Sequence, residues 1–547
     1  MLTSRRISTA NLPLLPVSSP GLAVARSCLC LLLDLLQSLN LGRAMSAMIQ
    51  SVVRVVHPAY RPKSRVGHHV VEKSGADDKS MDEFIDETRE LFEPPLQTER
   101  LLAISAQLQA ECRERLAQSD ISMLPSYTRT LPTGHERGDY LALDVGGSTF
   151  RIALIRLSGK ASSGGDGLQI RRIRSFAIDE RIRGLKGQAF FDWMAERISD
   201  MLSDYNHHMN GATDTRLLPM GLAWSFPIEQ TSPRSGRLLA MGKGFKATHG
   251  VEGEDLSELI MRSCNAKGLN VQMRAIINDS AGTLISQAYR DPSTRVSLIL
   301  GTGTNAAIFL PRTTLAKSKF GSRPDSWYAE AERVLINTEL SMVGQHSLPK
   351  TKYDERLNTT HSLPDFQPLE YLSTGRYLGE IARLIIMDAI ESAGLFNGQT
   401  PQGLGEAYTL DSRILAAFES DSSRTLEKAR SAHPLRSSTP RTRDLQFIRD
   451  IAMLISRRAS AYIATAMHAL WRVRSEAEGL ESTEGVTIAC NGTIIEKYPG
   501  FRERCQRYLD NLCEASGATR GKVTLSLAPE SSIFGAAVAV ACMEEGS

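Results

Sequence analysis

The chain has 547 residues, enough for two or more domains that each bury a hydrophobic core. Hydrophobic residues make up 42% and charged residues 23% of the sequence, which excludes a fibrous or an intrinsically disordered protein. Residues 1–71 carry eight Arg or Lys and one acid, which leaves a net charge of −4 on the rest of a chain whose total is +3. This mildly acidic body argues against a nucleic-acid partner.

The cysteines and the apolar runs indicate the compartment. Eight cysteines are scattered without a CxxC pair or a His cluster at metal-ligand spacing, which favours a reducing compartment and argues against structural zinc. Since no run of 18 or more apolar residues occurs, the sequence predicts no membrane span. We therefore expect a cytoplasmic protein.

The N-terminal arm, residues 1–71, is basic, contains Ser and is almost free of acids, a composition that resembles a mitochondrial transit peptide. A disordered arm and an upstream extension of the reading frame are the alternatives, because Met45 and Met48 could each start a shorter chain. Mitochondrial association through this arm is therefore an open alternative.

The first elements after the arm are helical. The apolar spacing over residues 80–118 predicts two amphipathic helices separated by Pro94 and Pro95. Further on, a strand is expected over Gln169–Ile178 and a helix over Gly187–Asn206.

A glycine-rich turn lies inside the stretch Leu141–Arg151. An apolar run ends at Asp144, and alternation resumes over Phe150–Leu157, which predicts a strand, a turn and a strand. Glycines allow backbone N–H groups to face one anion, so the turn is a candidate phosphate nest. An ordinary β-hairpin is the alternative. The turn residues are Gly146, Gly147, Ser148 and Thr149.

The same pattern returns 155 residues later, where the strand Val296–Leu300 is followed by a Gly/Thr turn and a strand over Ala306–Leu310. Two such turns indicate two similar halves that face each other. A dinucleotide-binding reading requires a helix after the glycines, and a Walker loop requires Gly-Lys-Ser/Thr, so neither fits. The second turn consists of Gly301, Thr302, Gly303, Thr304 and Asn305.

Polar residues follow several other predicted strands. Val271–Ile277 leads into Asn278-Asp279-Ser280, where the carboxylate is either a helix N-cap or a catalytic group at a strand end. Lys243 lies between two glycines, which also fits a solvated surface turn. We expect a strand that ends on Glu339, long helices over Tyr371–Ala393 and about 443–473, and a third glycine turn after the strand Val486–Cys490.

Together these segments resemble the eukaryotic hexokinase family, within the sugar-kinase, actin and Hsp70 superfamily. The match runs from about residue 80 to 543, and its motifs occur in the family's order. They are Leu143–Arg151, Ser225-Phe226-Pro227, Lys243-Gly244-Phe245, Asn278-Asp279, Gly301–Asn305, Asn337-Thr338-Glu339 and Glu370.

The resemblance implies an α/β fold made of duplicated actin-like ATPase (ribonuclease-H-like) domains, two lobes with a sugar and ATP cleft between them. We expect an N-terminal arm, a helical segment on the large lobe, the small lobe, the large lobe and a C-terminal helix that returns to the small lobe. The corresponding ranges are 1–71, 72–135, 136–280, 281–533 and 534–547.

The resemblance also implies roles. Asp279 would accept the proton of a sugar 6-hydroxyl, Lys243 would offset charge on the transferred phosphoryl group, and Asp144 would reach Mg²⁺ through water. The expected sugar contacts are Ser225, Lys243, Asn278, Asp279, Asn305, Glu339, Gln367 and Glu370. The expected ATP contacts are Asp144, Arg151, the residues of the first turn, Gly301–Thr304, the third turn Asn491-Gly492-Thr493, and Ser531.

Departures from the family pattern bear on the substrate. The family's Thr-Lys-Gly-Phe is Gly242–Phe245 here, and its Glu-Trp-Gly is Glu339-Leu340-Ser341. Both changes remove bulk beside polar groups, which suggests a sugar with a larger substituent. These segments also resemble the fungal N-acetylglucosamine kinases of the family. Phosphorylation of N-acetylglucosamine is therefore the leading expectation, with an ordinary glucose or fructose kinase as an alternative.

Other departures lie on the nucleotide side. The family's Asp-Gly-Ser near the adenosine is Asn491-Gly492-Thr493, and its C-terminal Asp-Gly-Ser-Gly is Glu530-Ser531-Ser532-Ile533. Thr149 occupies a position where the family has Asn. These changes raise the alternative of a non-catalytic, hexokinase-like regulator of carbon or starvation responses. In every case we expect a small sugar and ATP as partners, Mg²⁺ as cofactor, and a monomer or a dimer.

Overall fold

The fold is described from a computed structural model over residues 79–160, 167–208, 217–242, 244–321, 323–431, 440–479 and 484–544. The chain separates into two compact units, Met1–Asp77 and Asp78–Ser547, and the described residues all belong to the second. The basic arm and the candidate residue Lys243 lie outside the described residues, so the predictions about them stay predictions.

The described part of the chain contains both strands and helices. The strands are β1 (Leu124–Pro125), β2 (Arg137–Val145), β3 (Thr149–Ser158), β4 (Leu168–Ala177), β5 (Leu218–Trp224), β6 (Ile228–Ser232), β7 (Ser235–Leu238), β8 (Val271–Ile277), β9 (Thr294–Leu300), β10 (Thr304–Pro311), β11 (Arg333–Asn337), β12 (Val486–Asn491) and β13 (Val523–Leu527).

The α-helices are α1 (Met81–Phe92), α2 (Thr98–Gln118), α3 (Glu180–Arg183), α4 (Gln188–His208), α5 (Leu256–Ala266), α6 (Asp279–Arg290), α7 (Asp325–Glu330), α8 (Lys352–Thr360), α9 (Pro368–Ser373), α10 (Gly375–Ser392), α11 (Ser412–Ser420), α12 (Glu427–Arg430), α13 (Thr442–Ala477), α14 (Thr493–Lys497), α15 (Phe501–Ala515) and α16 (Ser531–Glu544). Short 3₁₀ turns cover Pro94–Leu96, Arg312–Thr314, Lys317–Phe320, Leu340–Met342 and Leu395–Gly398.

Two mixed sheets organise the described chain. The small sheet has the strand order β4-β3-β2-β5-β8, and the large sheet has the order β1-β11-β10-β9-β12-β13. In the small sheet, β4, β3 and β2 pair antiparallel, and β5 and β8 continue parallel to β2. In the large sheet, β11, β10 and β9 repeat the antiparallel part, and β12 and β13 repeat the parallel part. The two sheets therefore share one topology, which confirms the predicted duplicated α/β fold.

The helix that follows the last strand of each sheet packs on the other sheet. α6 follows β8 of the small sheet yet packs on β9 and β12 of the large sheet, and α16 follows β13 yet packs on β2 and β5 of the small sheet. The crossing is close: a Cβ atom on Gly221 of β5 would lie 2.2 Å from the Ala536 carbonyl oxygen of α16. Small side chains at this contact let the helix backbones approach the sheet and each other.

The long helices cover the other face of the large sheet. α13 contacts α2 and α15, and the buried side chains of α1 and α2 join those of β9 and β11 in one hydrophobic core. The predicted pair of helices split by prolines is confirmed, because α1 ends at Phe92 and α2 begins at Thr98. The domain ranges given above remain a prediction.

Three predicted boundaries differ from the structure. β11 ends at Asn337, so Glu339 does not end a strand but lies in a turn with φ 48°. The expected helix over Tyr371–Ala393 is two helices, because Thr374 adopts an extended conformation between α9 and α10. The C-terminal helix begins at Ser531, three residues before the expected start at residue 534.

Two smaller expectations concern cysteines and membranes. The six cysteines among the described residues are free thiols, as a reducing compartment favours. None of the helices in the described ranges is long and apolar enough to cross a membrane.

Candidate functional site

The first glycine turn closes tightly between β2 and β3. The Gly146 N–H donates to the Thr149 carbonyl at 3.0 Å, and the Ser148 carbonyl accepts from the Ile178 N–H at 2.9 Å. Arg183 also donates to the Gly147 carbonyl at 3.1 Å. These bonds close the turn onto the start of β3 and tie it to the chain after β4.

Asp144 and Arg151 face each other across the hairpin that carries this turn. Nε and Nη2 of Arg151 donate to Oδ2 of Asp144 at 2.8 and 2.5 Å, and Nη1 donates to Oε2 of Glu530 at 2.7 Å. Burial raises the pKa of Asp144, although the Arg151 guanidinium lowers it; the Glu530 charge raises it further. A residue from just before α16 therefore joins the two predicted ATP-binding side chains.

The second glycine turn lies between β9 and β10. The Gly301 N–H donates to the Gly303 carbonyl at 2.9 Å, and the Gly375 N–H donates to the Gly301 carbonyl at 3.0 Å. The break between α9 and α10 therefore places the start of α10 against this turn. Glu370 of α9 accepts from the Thr304 N–H at 3.0 Å, so this predicted sugar contact is bonded to the turn.

The third turn, Asn491-Gly492-Thr493, packs against the second. Gly492 has φ 120°, and a Cβ atom there would lie 2.4 Å from the Leu300 carbonyl oxygen, so only glycine fits. A Cβ atom on Gly301 would lie 3.3 Å from the Thr493 amide nitrogen. Asn491 donates to the Ala528 carbonyl at 3.0 Å, which ties the turn to the segment before α16.

A cavity of about 490 Å³ opens beside the second and third turns. Its walls come from α10, α11, α14 and the segment before α11. They include Gly301, Thr302, Arg376, Tyr408, Arg413, Thr493 and Lys497. The Arg376 guanidinium lies 4.8 Å from the centre of the Tyr408 ring, which gives one wall a flat aromatic and cationic surface. The size and position suit a nucleoside attached to phosphates at the turns.

Asp279 lies at the first position of α6, where β8 ends. Asn278 is the N-cap: its Oδ1 accepts from the Ala281 N–H at 2.8 Å, so the capping role belongs to Asn278. Asp279 Oδ1 accepts from the Ser280 N–H at 2.7 Å, and its side chain is half-buried at the end of a buried strand. The carboxylate is therefore held in place without being needed as the cap.

A chain of amide groups leads to Glu339. Asn305 donates to Asn337 at 2.9 Å, and Asn337 donates to Glu339 Oε1 at 2.8 Å. Burial raises the pKa of Glu339, and the nearby Asp279 charge raises it further, while the Asn337 bond lowers it. Asp279 and Glu339 follow the ends of β8 and β11, and Asn305 lies at the start of β10. Asp279 and Glu339 are near enough for their charges to interact.

Gln367 and Ser225 are two further predicted sugar contacts. Gln367 donates to the Ser341 hydroxyl at 3.3 Å, and the Ser225 N–H donates to the Val145 carbonyl at 3.1 Å, beside the first turn. Gly242 and Gly244, which flank Lys243, have φ values of 65° and 81°. A Cβ atom on Gly242 would meet nothing within 4 Å, so this loop is open there.

Ser531 is the predicted ATP contact that the geometry supports least. It is 1% exposed, and its hydroxyl lies 2.8 Å from that of Thr283 in α6. It joins two helices, and its role toward ATP stays a prediction. Four further residues at the site were not predicted from the sequence, namely Arg183, Arg376, Tyr408 and Glu530. Of these, only Glu530 had a signal in the sequence, because it begins a segment that departs from the family's Asp-Gly-Ser-Gly.

The donor set fits a magnesium ion bound mainly through substrate. The described residues hold no group of three or more His, Cys, Asp or Glu that could bind a metal by themselves. Mg²⁺ commonly uses one or two carboxylates together with phosphates and water, and Asp144 beside the first turn provides such a carboxylate.

Comparisons with known proteins agree on one family. Models described as hexokinase match residues 85–289 and 295–542. Hexokinase-1 of Saccharomyces cerevisiae is 30% identical over 78% of this chain and 85% of its own length. Human hexokinase HKDC1 is 30% identical over 84% of this chain, which spans about half of that protein, 48%. A solved hexokinase from Schistosoma mansoni complexed with glucose is 28% identical, has a TM-score of 0.70 and covers 85% of this chain and 100% of its own.

Proposed function

Because the chain belongs to the hexokinase family, we propose that it is an ATP-dependent sugar kinase that phosphorylates the 6-hydroxyl of a hexose of the glucose or fructose type. The observation that carries the proposal is the hydrogen-bond chain from Asn305 through Asn337 to Glu339, near enough to Asp279 for the two carboxylates to interact. A carboxylate in this place suits proton abstraction from a sugar hydroxyl, while the neighbouring polar groups suit the other hydroxyls.

In this proposal, Asp279 accepts the proton as the hydroxyl oxygen attacks the γ-phosphorus, and ADP leaves. Glycine-turn amides and Arg151 bind the phosphates, and Lys243 offsets the charge on the transferred group. Transfer of a phosphoryl group needs this positioning and charge stabilisation more than covalent help from the protein. Asp144 and the phosphates would hold Mg²⁺, which would supply neutralising charge.

The choice of sugar follows from the packing around Glu339. Leu340, which stands where the family has Trp, is 1% exposed and belongs to the core of the large sheet, and Ser341 is also 1% exposed. The smaller side chain is therefore accommodated by packing and does not by itself add room for a 2-acetamido group. The curated relatives described above are also named hexokinases. Both points favour glucose or fructose over N-acetylglucosamine, the leading expectation of the sequence analysis.

N-acetylglucosamine remains the second candidate substrate because of Gly242. At this residue, which precedes Lys243, no atom beyond the two adjacent residues lies within 4 Å of a Cβ position. Space on that side of the sugar would suit a larger substituent.

A non-catalytic regulator is the candidate from another class. The observation that favours it is that Arg151 forms ion pairs with both Asp144 and Glu530. A kinase would need Arg151 for the ATP phosphates and Asp144 for Mg²⁺, and both side chains are occupied by these pairs. Such a protein would bind sugar without transferring phosphate.

An ADP-release assay with glucose, fructose, mannose and N-acetylglucosamine separates these functions. We expect turnover, with kcat/KM higher for glucose or fructose than for N-acetylglucosamine. The reverse order would replace the sugar assignment. Absence of ADP release with every sugar, together with sugar binding in calorimetry, would contradict the kinase and support the regulator.

A further inference from the structure

Arg151 is shared between two carboxylates from distant parts of the chain. Its Nε and Nη2 groups donate to Asp144 on the neighbouring strand, and Nη1 donates to Glu530, which is 379 residues away in sequence, at 2.7 Å. The side chains of Arg151 and Glu530 are 27% and 43% exposed, so both can be reached by a ligand in solution.

Glu530 is held at this place by the fold. Its backbone has φ 53°, in the left-handed region that residues with a Cβ atom rarely adopt. Its carbonyl accepts from the Phe534 N–H in the first turn of α16, and the next residue, Ser531, is bonded to Thr283 of α6. The start of α16 therefore positions the Glu530 carboxylate on the hairpin that carries the first glycine turn.

We propose that Glu530 competes with the phosphates of ATP for Arg151 and so sets the affinity of the site for MgATP. The inference rests on the proposed function, because that function assigns ATP phosphates to Arg151. Two carboxylates already neutralise the Arg151 guanidinium, so it attracts a third anion only weakly. If a triphosphate displaced Glu530 from Arg151, the unpaired Glu530 carboxylate would repel the triphosphate. Binding of MgATP therefore requires the Arg151–Glu530 pair to separate.

The reason for such a competitor lies in the charge of the empty site. With Glu530 in place, the single Arg151 guanidinium faces two carboxylates, Asp144 and Glu530, so the three groups together are negatively charged before nucleotide arrives. Without Glu530, Arg151 would keep only Asp144 and would offer more of its donors to phosphate. Glu530 would thus weaken nucleotide binding without contact with the sugar.

The test is Glu530→Gln, which removes the charge and keeps the side-chain length. We expect the KM for MgATP to fall about twofold to fivefold, the size of effect that an exposed ion pair produces. The KM for the sugar and the melting temperature should stay within error. The difference between the two proteins should shrink at about 0.5 M salt, because salt screens the interaction.

Glu476→Gln is the matched control. Glu476 pairs with Arg113 at 2.7 Å, and its side chain is 44% exposed, as in the Glu530 pair, but it lies on α13 with a partner on α2. This control should leave the KM for MgATP unchanged. A KM for MgATP that is unchanged or raised in Glu530→Gln would overturn the inference, because Glu530 would then be neutral or would hold Arg151 in a productive position.

Calorimetry with Mg²⁺ and a non-hydrolysable ATP analogue separates this inference from the proposed function. Tighter binding by Glu530→Gln than by the wild type supports the inference even if no sugar is turned over. Equal binding, or no binding by either protein, contradicts it. Turnover of sugar with unchanged nucleotide affinity would overturn the inference alone.

Discussion

Gly535 of α16 touches the backbone of Gly282 in α6: a Cβ atom on Gly535 would lie 2.3 Å from the Gly282 carbonyl oxygen. Gly282 lies one turn after Asp279, so this contact fixes the helix that carries the proposed base. α16 is also packed against Gly221 of the small sheet, so it cannot move away from α6 without disturbing that contact.

We expect Gly535→Ala to lower the free energy of unfolding by about 1–3 kcal/mol, because the methyl group overpacks a backbone contact. Turnover should fall as well, since α6 must shift. Thermal unfolding and steady-state kinetics measure the two effects. Gly405→Ala is the control, because a Cβ atom there meets nothing within 4 Å, and it should be neutral. Equal stability of the two variants would contradict the contact.

His468 predicts a pH dependence of stability. It lies between the hydroxyls of Ser105 and Ser516, at 2.8 and 3.0 Å, and burial lowers its pKa to about 4. The unfolded state therefore binds a proton more readily than the folded state. The stability that neutral His468 contributes is full above about pH 6.5 and is lost as the pH falls toward 4.

Urea unfolding at about pH 7.5 and about pH 5 measures this loss. We expect His468→Gln to lose less stability between the two pH values than the wild type does. The exposed His249 serves as control, and His249→Gln should keep the wild-type difference. Identical pH dependence in His468→Gln and the wild type would show that His468 does not titrate on unfolding.

A buried ion pair predicts a large stability effect away from the site. Arg458 of α13 and Asp354 of α8 are 1% and 2% exposed, and they share hydrogen bonds of 2.6 and 2.7 Å. Arg458→Met leaves the carboxylate buried without its counter-charge, so we expect a loss of about 3–5 kcal/mol. The neighbouring Arg457 pairs with Glu93 at the surface, and Arg457→Met should cost less than about 1 kcal/mol. Chemical denaturation of both variants makes the comparison, and equal losses would contradict it.

The strands and the glycine turns were predictable because their signals are local. Alternating apolar residues located β2, β3, β9 and β10, and both hairpins form as expected. The break between α9 and α10 was not predictable, because residues 371–393 have a continuous helical pattern. The break is stabilised by a bond from Gly375 to Gly301, 74 residues away.

The candidate site was predictable in its residue types but not in its pairings. The order of motifs pointed to Asp279, Glu339 and Arg151. The φ of 48° at Glu339 depends on the packing of the following turn, and the pairing of Arg151 with Glu530 depends on where α16 begins. Arg151 and Glu530 are far apart in sequence, so no local pattern predicts their pairing.

Asp279→Asn tests the central claim most directly, because it removes the proposed base and keeps the side-chain shape and the acceptor for the Ser280 N–H. We expect kcat in the ADP-release assay with the preferred sugar to fall about 10²–10⁴-fold, with the melting temperature unchanged. Asp86→Asn, at an exposed carboxylate on α1, should keep wild-type kcat. Turnover by Asp279→Asn close to that of the wild type would contradict the account.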